Sequence, residues 1–378
     1  MIIGVPKEVK VNENRVSLTP AGAGMIIAAG HQVLLEEGAG ENSGFLDEDY
    51  IQEGVQILTT ASDVWSKAEM ILKVKEPIPS EYELIQENQL LFTYLHLAAA
   101  GNLTDHLLQK NVTSIAYETI QLPNGELPLL TPMSEVAGRM SVQVGAQFLE
   151  NYYGGRGVLL GGVPGVPPAD VCIIGGGVVG TNAAKIALGM GASVVIVEKS
   201  AQRMRELDDL FNGRLRTIMS NSHNILSAVK KADLLIGAVL VPGARAPRLV
   251  TEDMVKEMKK GSVIVDVAVD QGGSIETIDH STTHSHPTYE KYGVVHYAVA
   301  NMPGAVPRTS TIALTNVTMP YVMELVNQGF DHVIVGNPSL KLGVNTYKGN
   351  LTYKAVADAL GKSYISVDEL IHYEPVNS

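Results

Sequence analysis

One cysteine occurs in 378 residues, Cys172, inside an apolar run. Such a chain has no internal disulfide and no cysteine-framed zinc site, and a small core residue is the role expected for Cys172. Cations are scarce too: 28 Lys and Arg face 40 Asp and Glu, a formal net charge of −12. That balance argues against nucleic-acid and anionic-membrane partners and says nothing about fold. No apolar stretch approaches the roughly 18 residues of a membrane span. The opening residues carry no basic segment followed by an apolar one, as a signal peptide would, so a reducing cytoplasm is the expected setting. Glycine is plentiful, with 37 residues, as suits an α/β protein rich in turns. The length allows two domains. No repeat is visible beyond a recurring strand–helix–strand unit.

The rest of the chain is organised around residues 170–198. Val171 to Ile174 read as a strand buried on both faces. Gly175, Gly177 and Gly180 follow in G-x-G-x-x-G order, and Ala183, Ala184, Ala187 and Leu188 then recur at helical spacing. The first glycine permits a tight turn, the second lets backbone approach a pyrophosphate, and the third brings helix and strand close. Phosphates would sit on the N–H groups at the helix N-terminus. A second strand, 193–197, ends on Glu198, 18 residues past Gly180, where an acid accepts ribose hydroxyls. A dinucleotide site is the expectation.

Upstream, Ile2 to Val5 start a strand, Arg15 lies in a polar loop, and Thr19-Pro20 opens a helix closing near Gly30. Residues 69–77 read as a strand placing Lys75 at its carboxyl end, with Ile71 and Lys73 on the same face. Residues 90–98 repeat this with Phe92, Tyr94 and His96. Ligands in open α/β sheets bind outside strand carboxyl ends, so Lys75 and His96 are site candidates; a snorkelling lysine and a hydrogen-bonded core histidine remain the alternatives. Beyond Glu198 the rhythm continues with strands at 232–242 and 262–270. Asp270 ends the latter, as a catalytic acid or a loop cap. Helices are predicted from Thr131, from Thr311 to Gln328 with a kink at Pro320, and from Tyr353 to Leu360. His280, His284 and His286 have no carboxylate or cysteine frame, and no metal is expected there.

Several stretches resemble bacterial alanine dehydrogenase: Gly4-Val-Pro-Lys-Glu with Asn14-Arg15, Leu72-Lys-Val-Lys-Glu-Pro77, Leu91-Phe-Thr-Tyr-Leu-His-Leu97, Leu130-Thr-Pro-Met-Ser-Glu-Val-Ala-Gly-Arg139, Val265-Asp-Val-Ala-Val-Asp-Gln-Gly-Gly273 and Tyr297-Ala-Val-Ala-Asn-Met-Pro-Gly-Ala-Val-Pro307. The soluble NAD-binding portion of proton-translocating transhydrogenase is a related branch. The resemblance implies NAD-dependent, reversible oxidation of L-alanine to pyruvate and ammonia. It implies His96 and Asp270 as active-site residues, with Arg15, Lys75, Tyr94, Met133 and Asn301 around the substrate. A guanidinium and an ammonium suit its carboxylate. Hydride leaves Cα, water attacks the resulting imine, and ammonia departs. An imidazole suits those proton movements, so His96 is expected as acid/base and Asp270 as the group that positions water and stabilises cationic intermediates.

For the cofactor, the resemblance implies Ser134, Gly175, Gly177, Val178, Val179, Gly180, Glu198, Arg203, Ser220, Val239, Leu240, Val267, Ala268, Val269, Asp270, Val299, Ala300, Asn301 and Met302. Relatives usually have Asp where this chain has Glu198, and an apolar residue where it has Lys199. NAD stays favoured over NADP, less absolutely. His280 replaces a basic residue. Some relatives hold magnesium with Glu118, a second acid and a histidine; here Glu118 and Glu324 are kept but Asn327 stands at the histidine position, so no metal is expected. Two Rossmann-like, doubly wound, mostly parallel α/β domains are expected: a discontinuous substrate domain (1–130 and 307–378) and an inserted NAD domain (131–306). The active site is expected in the cleft, and the resemblance implies a homohexamer. A transhydrogenase-type module and a silent NAD sensor are the competing classes. Retention of Arg15, Lys75, His96 and Asp270 counts against both.

Overall fold

The structure is a computed structural model and describes residues 1–239, 246–269 and 272–371. It divides into two compact units, Met1–Met133 with Val306–Ser378, and Ser134–Ala305. Each is an α/β unit built on one largely parallel sheet.

The first unit contains β1 (Ile2–Val5), β2 (Gln32–Glu36), β3 (Gln56–Leu58), β4 (Met70–Leu72), β5 (Leu90–Thr93) and β6 (Thr113–Ala116), with β14 (Val344–Tyr347) and β15 (Asn350–Leu351) near the chain's end. Their order is β15-β14-β6-β5-β4-β1-β2-β3. β1 to β6 run parallel, and β14 and β15 join antiparallel. Side chains alternate across the sheet. Ile3, Met70, Leu72 and Phe92 pack on one face with Ile26 and Leu314; Ile71 and Leu91 pack on the other with Trp65 and Leu107. Strand order reverses at β1, so the loops after β1, β4 and β5 leave the sheet at a switch point, where α/β sheets take ligands.

The second unit contains β7 (Asp170–Ile174), β8 (Ser193–Glu198), β9 (Arg216–Met219), β10 (Leu234–Gly237), β11 (Val263–Asp266), β12 (Thr288–Lys291) and β13 (Val294–Tyr297). The order is β12-β13-β11-β10-β7-β8-β9, parallel except for the edge strand β12. Here the order reverses at β7. Cys172 lies in the core with Ile174, Val197 and Ile264, and burial pushes its thiol up to about 12.

Thr19 caps the Pro20–Ala28 helix, its hydroxyl accepting from the Gly22 N–H. The Pro307–Gln328 helix begins one turn earlier than the sequence predicts and runs on through Pro320. β1 has the predicted bounds and β7 and β8 each run one residue beyond theirs, but the strands predicted at 69–77, 90–98, 232–242 and 262–270 are longer than β4, β5, β10 and β11. β4 and β5 stop at Leu72 and Thr93, so Lys73, Lys75, Tyr94 and His96 lie beyond the strands and do not share strand faces. No described helix is long and apolar enough to cross a membrane.

Candidate functional site

The loop after β1 buries two opposite charges. Arg15 is 2% exposed and Glu13 5%. Arg15 Nε donates to Glu13 Oε1 at 2.6 Å and Nη2 to Oε2 at 2.5 Å, a fork-to-fork pair, while Nη1 reaches Met133 Sδ at 3.0 Å. Burial pushes the Glu13 carboxyl up, but the Arg15 hydrogen bonds and charge outweigh it and hold it below its ordinary value. Arg15 is therefore not the solvated charge its polar loop suggests.

Lys75 follows β4, half-buried, with no carboxylate at ion-pair distance from its ammonium among the described residues. Burial, then the Arg15 charge, lowers its pKa. Its neighbour Lys73 is fully buried between Glu8 (3.2 Å) and Glu81 (2.8 Å). Glu8 also accepts the Val74 N–H at 2.6 Å, and Glu81 accepts that of Ile78 at 3.0 Å. This ion network anchors the chain on both sides of Lys75.

After β5, Tyr94 is buried and donates its hydroxyl to the Leu129 carbonyl at 2.5 Å. His96 is half-exposed, with its ring parallel to that of Tyr94 at 6.2 Å between centroids. Its backbone is left-handed, φ 49° and ψ 38°, a conformation that costs a non-glycine residue energy and recurs at functional sites. Glu118 holds it there: Oε1 accepts the His96 N–H at 2.6 Å, and both carboxylate oxygens accept that of Leu95. Arg15, Lys75, Tyr94, His96 and Met133 thus gather in the first unit. Glu324 accepts from Asn337, and Asn327 pairs with His31. Among the described residues no cluster of metal-ligating side chains occurs.

In the second unit the glycine turn follows β7. Gly175 has φ +103°, and a Cβ on Gly180 would lie 1.9 Å from the Gly175 carbonyl oxygen; only glycine fits either position. The Val178–Gly189 helix starts at Gly177 with no side-chain cap and open space where a Cβ would stand. Its first N–H groups are left for an anion, so the cradle fits a pyrophosphate. Glu198 ends β8. Its Oε2 accepts the Gly176 N–H at 2.8 Å, and Oε1 accepts those of Lys199 (2.7 Å) and Ser200 (2.9 Å). Ser220, Val239, Val267 to Val269 and Val299 to Met302 follow β9, β10, β11 and β13, all at the carboxyl edge. Asn301 adopts φ 58°, and Ser134 lies half-buried in the Thr131–Phe148 helix. Arg203 Nε donates to the Gly176 carbonyl oxygen at 2.8 Å and Nη2 to Thr181 Oγ1 at 2.9 Å. Leu240 and Asp270 lie outside the described residues. His280 stacks on Tyr289 and binds Asp279.

Two family models cover most of the chain. Alanine dehydrogenase/PNT, N-terminal domain, matches residues 4–137, and Alanine dehydrogenase/PNT, C-terminal domain, matches residues 141–354. The chain belongs to this family. It is 60% identical to alanine dehydrogenase of Methanococcus maripaludis, covering 98% of this chain and 100% of that one. It is 59% identical to that of Bacillus subtilis, covering 99% and 98%. A solved L-alanine dehydrogenase superposes with TM-score 0.93 at 56% identity over 96% of this chain and 99% of that one. A transhydrogenase from Sinorhizobium meliloti shares the fold, with TM-score 0.81 at 23% identity over 93% of this chain and 100% of that one.

Within this family member, the sequence reading missed Glu8, Glu13, Lys73 and Glu81. Their signal was weak: only Lys73 adjoins a short apolar strand, while Glu8, Glu13 and Glu81 lie in polar connections where a charge ordinarily faces solvent.

Proposed function

We propose that the chain is an NAD-dependent L-alanine dehydrogenase, converting L-alanine to pyruvate and ammonia and running the reverse amination. Family membership over nearly the full length supports the activity. The observation that carries the chemistry is the gathering of a buried guanidinium, Arg15, and a half-buried ammonium, Lys75, near Tyr94 and His96. In this reading the discontinuous unit is the substrate domain and the inserted unit the dinucleotide domain.

The glycine turn and Glu198 would hold NAD, which when bound would supply the acceptor for the hydride of alanine Cα. Arg15, fixed by Glu13, receives the carboxylate, and the Lys75 ammonium adds a second charge beside it. Removal of hydride from the neutral amine leaves an iminium at Cα. His96 takes a proton from the water that attacks it and returns one to the departing amine, the part of a general acid/base. Asp270, from its sequence position, steadies the cationic intermediates. Tyr94 and Met133 wall the substrate, and the family resemblance adds Asn301 to its contacts. The lone buried Cys172 suits a reducing compartment, and we place the enzyme in the cytoplasm, as the homohexamer the family resemblance supports.

The test is NADH formation from NAD with a panel of amino acids at alkaline pH. L-alanine as the strongly preferred substrate supports the reading. NADH formation that requires a partner protein, or none at all with alanine, refutes it. Light scattering tests the hexamer.

A further inference from the structure

The two cations assigned to the substrate come from different loops of the first unit, Arg15 from the loop after β1 and Lys75 from the loop after β4. A ligand held by both needs them at a fixed spacing. The same two loops are tied together by groups that the mechanism does not use. Glu8, in the loop after β1, has a side chain only 3% exposed. Its Oε1 accepts the Val74 N–H at 2.6 Å and the Lys75 N–H at 3.4 Å, and its Oε2 meets the buried Lys73 ammonium at 3.2 Å. Lys73 also holds Glu81 at 2.8 Å, and Glu81 accepts the Ile78 N–H. Two residues past Arg15, the Ser17 hydroxyl donates to the Leu72 carbonyl at 2.9 Å. Stability alone does not account for three charges buried together, since well-packed apolar side chains in their place are commonly as stable or more so. Apolar side chains could not, however, hold the amide hydrogens of Val74 and Lys75.

We propose that Glu8 is a positioning residue for the substrate: it fixes the main chain at Lys75 against the loop that carries Arg15, without itself touching the substrate. This rests on the substrate reading of Arg15 and Lys75 given above. Glu8→Gln leaves one acceptor oxygen where there were two, so it can serve the Val74 N–H or the Lys73 ammonium but cannot bridge them. The sign of the effect separates a brace from long-range charge. Glu8 lies close enough to Arg15 for its charge to be felt there. Removing that anion would by charge alone tighten an anionic ligand, whereas releasing the Lys75 loop weakens it.

The experiment measures the Kd of pyruvate from the enzyme–NADH complex without ammonia, at alkaline pH, through the change in bound-NADH fluorescence. Glu8→Gln is expected to weaken pyruvate by about tenfold and to leave the Kd of NADH within about twofold. The same substitution is then made in Lys75→Ala. A brace that acts through Lys75 has nothing left to position there, so the pyruvate Kd is expected to rise by less than about twofold more. Melting curves report whether each variant folds. Should Glu8→Gln not fold, Glu8→Asp, which keeps the charge on a shorter stem, takes its place in the cycle with the same expectation. Pyruvate binding as in the wild type, or tighter, overturns the brace. A parallel loss of NADH would mean general loosening and overturn it as well. So would the full loss repeated in Lys75→Ala, because Glu8 would then act elsewhere. Each of these outcomes leaves the dehydrogenase reading standing, whereas failure of the wild-type complex to bind pyruvate would sink both.

Discussion

The carboxylate of Glu118 accepts the backbone N–H of His96 at 2.6 Å, while the imidazole Nδ1 stays 3.9 Å away. Glu118 therefore holds the histidine by its main chain, in a left-handed conformation, and leaves the ring half-exposed for chemistry. Glu118→Ala is expected to free that turn and lower kcat by about tenfold or more, with NADH binding unchanged. His96→Ala is expected to lower kcat by roughly 10²–10⁴-fold, the usual range for a general acid/base. Steady-state kinetics across pH checks both, and near-normal turnover in His96→Ala would remove the histidine from the mechanism.

Glu13 and Arg15 form a buried pair in which each partner depends on the other. Glu13→Gln leaves a guanidinium buried without its counter-charge, and breaking such a pair costs about 3–5 kcal/mol. The expected result is a lowered denaturation midpoint and a raised KM for pyruvate and alanine, with KM for NAD little changed. An unchanged pyruvate KM would show that Glu13 does not orient the substrate-binding arginine.

Glu198 carries the charge that should repel a 2′-phosphate, while its oxygens already accept three backbone N–H groups. Glu198→Gln keeps an acceptor but loses the charge. The ratio of kcat/KM for NAD to that for NADP is expected to fall by about tenfold, in line with removing one close unit charge. A ratio that does not move would assign the selectivity to shape.

Asp266 and His296 titrate in nearly the same window with opposite consequences. Burial raises Asp266 to about 6, despite N–H donors from Ala268 and Ser274. Its contribution is fully present below the ordinary carboxyl pKa and is lost as pH rises through 6. Burial lowers His296 to about 4, its ring lying between Thr277 and the Val294 carbonyl. Its contribution is present above about 6.5 and is lost as pH falls through 4. Each shift corresponds to something on the order of 3 kcal/mol. Urea unfolding from pH 4 to 7 should show a shallow wild-type slope from this pair. His296→Gln should then lose stability, and Asp266→Asn gain it, as pH rises relative to wild type. Parallel curves for all three proteins would contradict the assignment.

Much of the second unit was legible in the chain because its signals are local. A buried strand needs a continuous apolar run, the turn needs glycines at fixed offsets, and an acid ends the next strand; Val171 to Glu198 hold all three within one supersecondary unit. The parallel sheets follow from strands alternating with helices, and Lys75 and His96 could be placed near carboxyl edges for the same reason. The ends of β4 and β5 could not be read, because apolar residues continue past the last ladder bond: Val74 and Leu95 are buried, yet they belong to loops. The partners of the site charges were not legible either. Glu8 meets Lys73 across 65 residues, and Met133 meets Arg15 across 118, and no local pattern encodes a contact between segments so far apart. Local propensity and spacing determined the turn, the helix starts and the sheet class. Only the folded chain, by desolvating Arg15, Lys73 and Glu8 together, decided which charges pair, which titrate and which groups Arg203 holds.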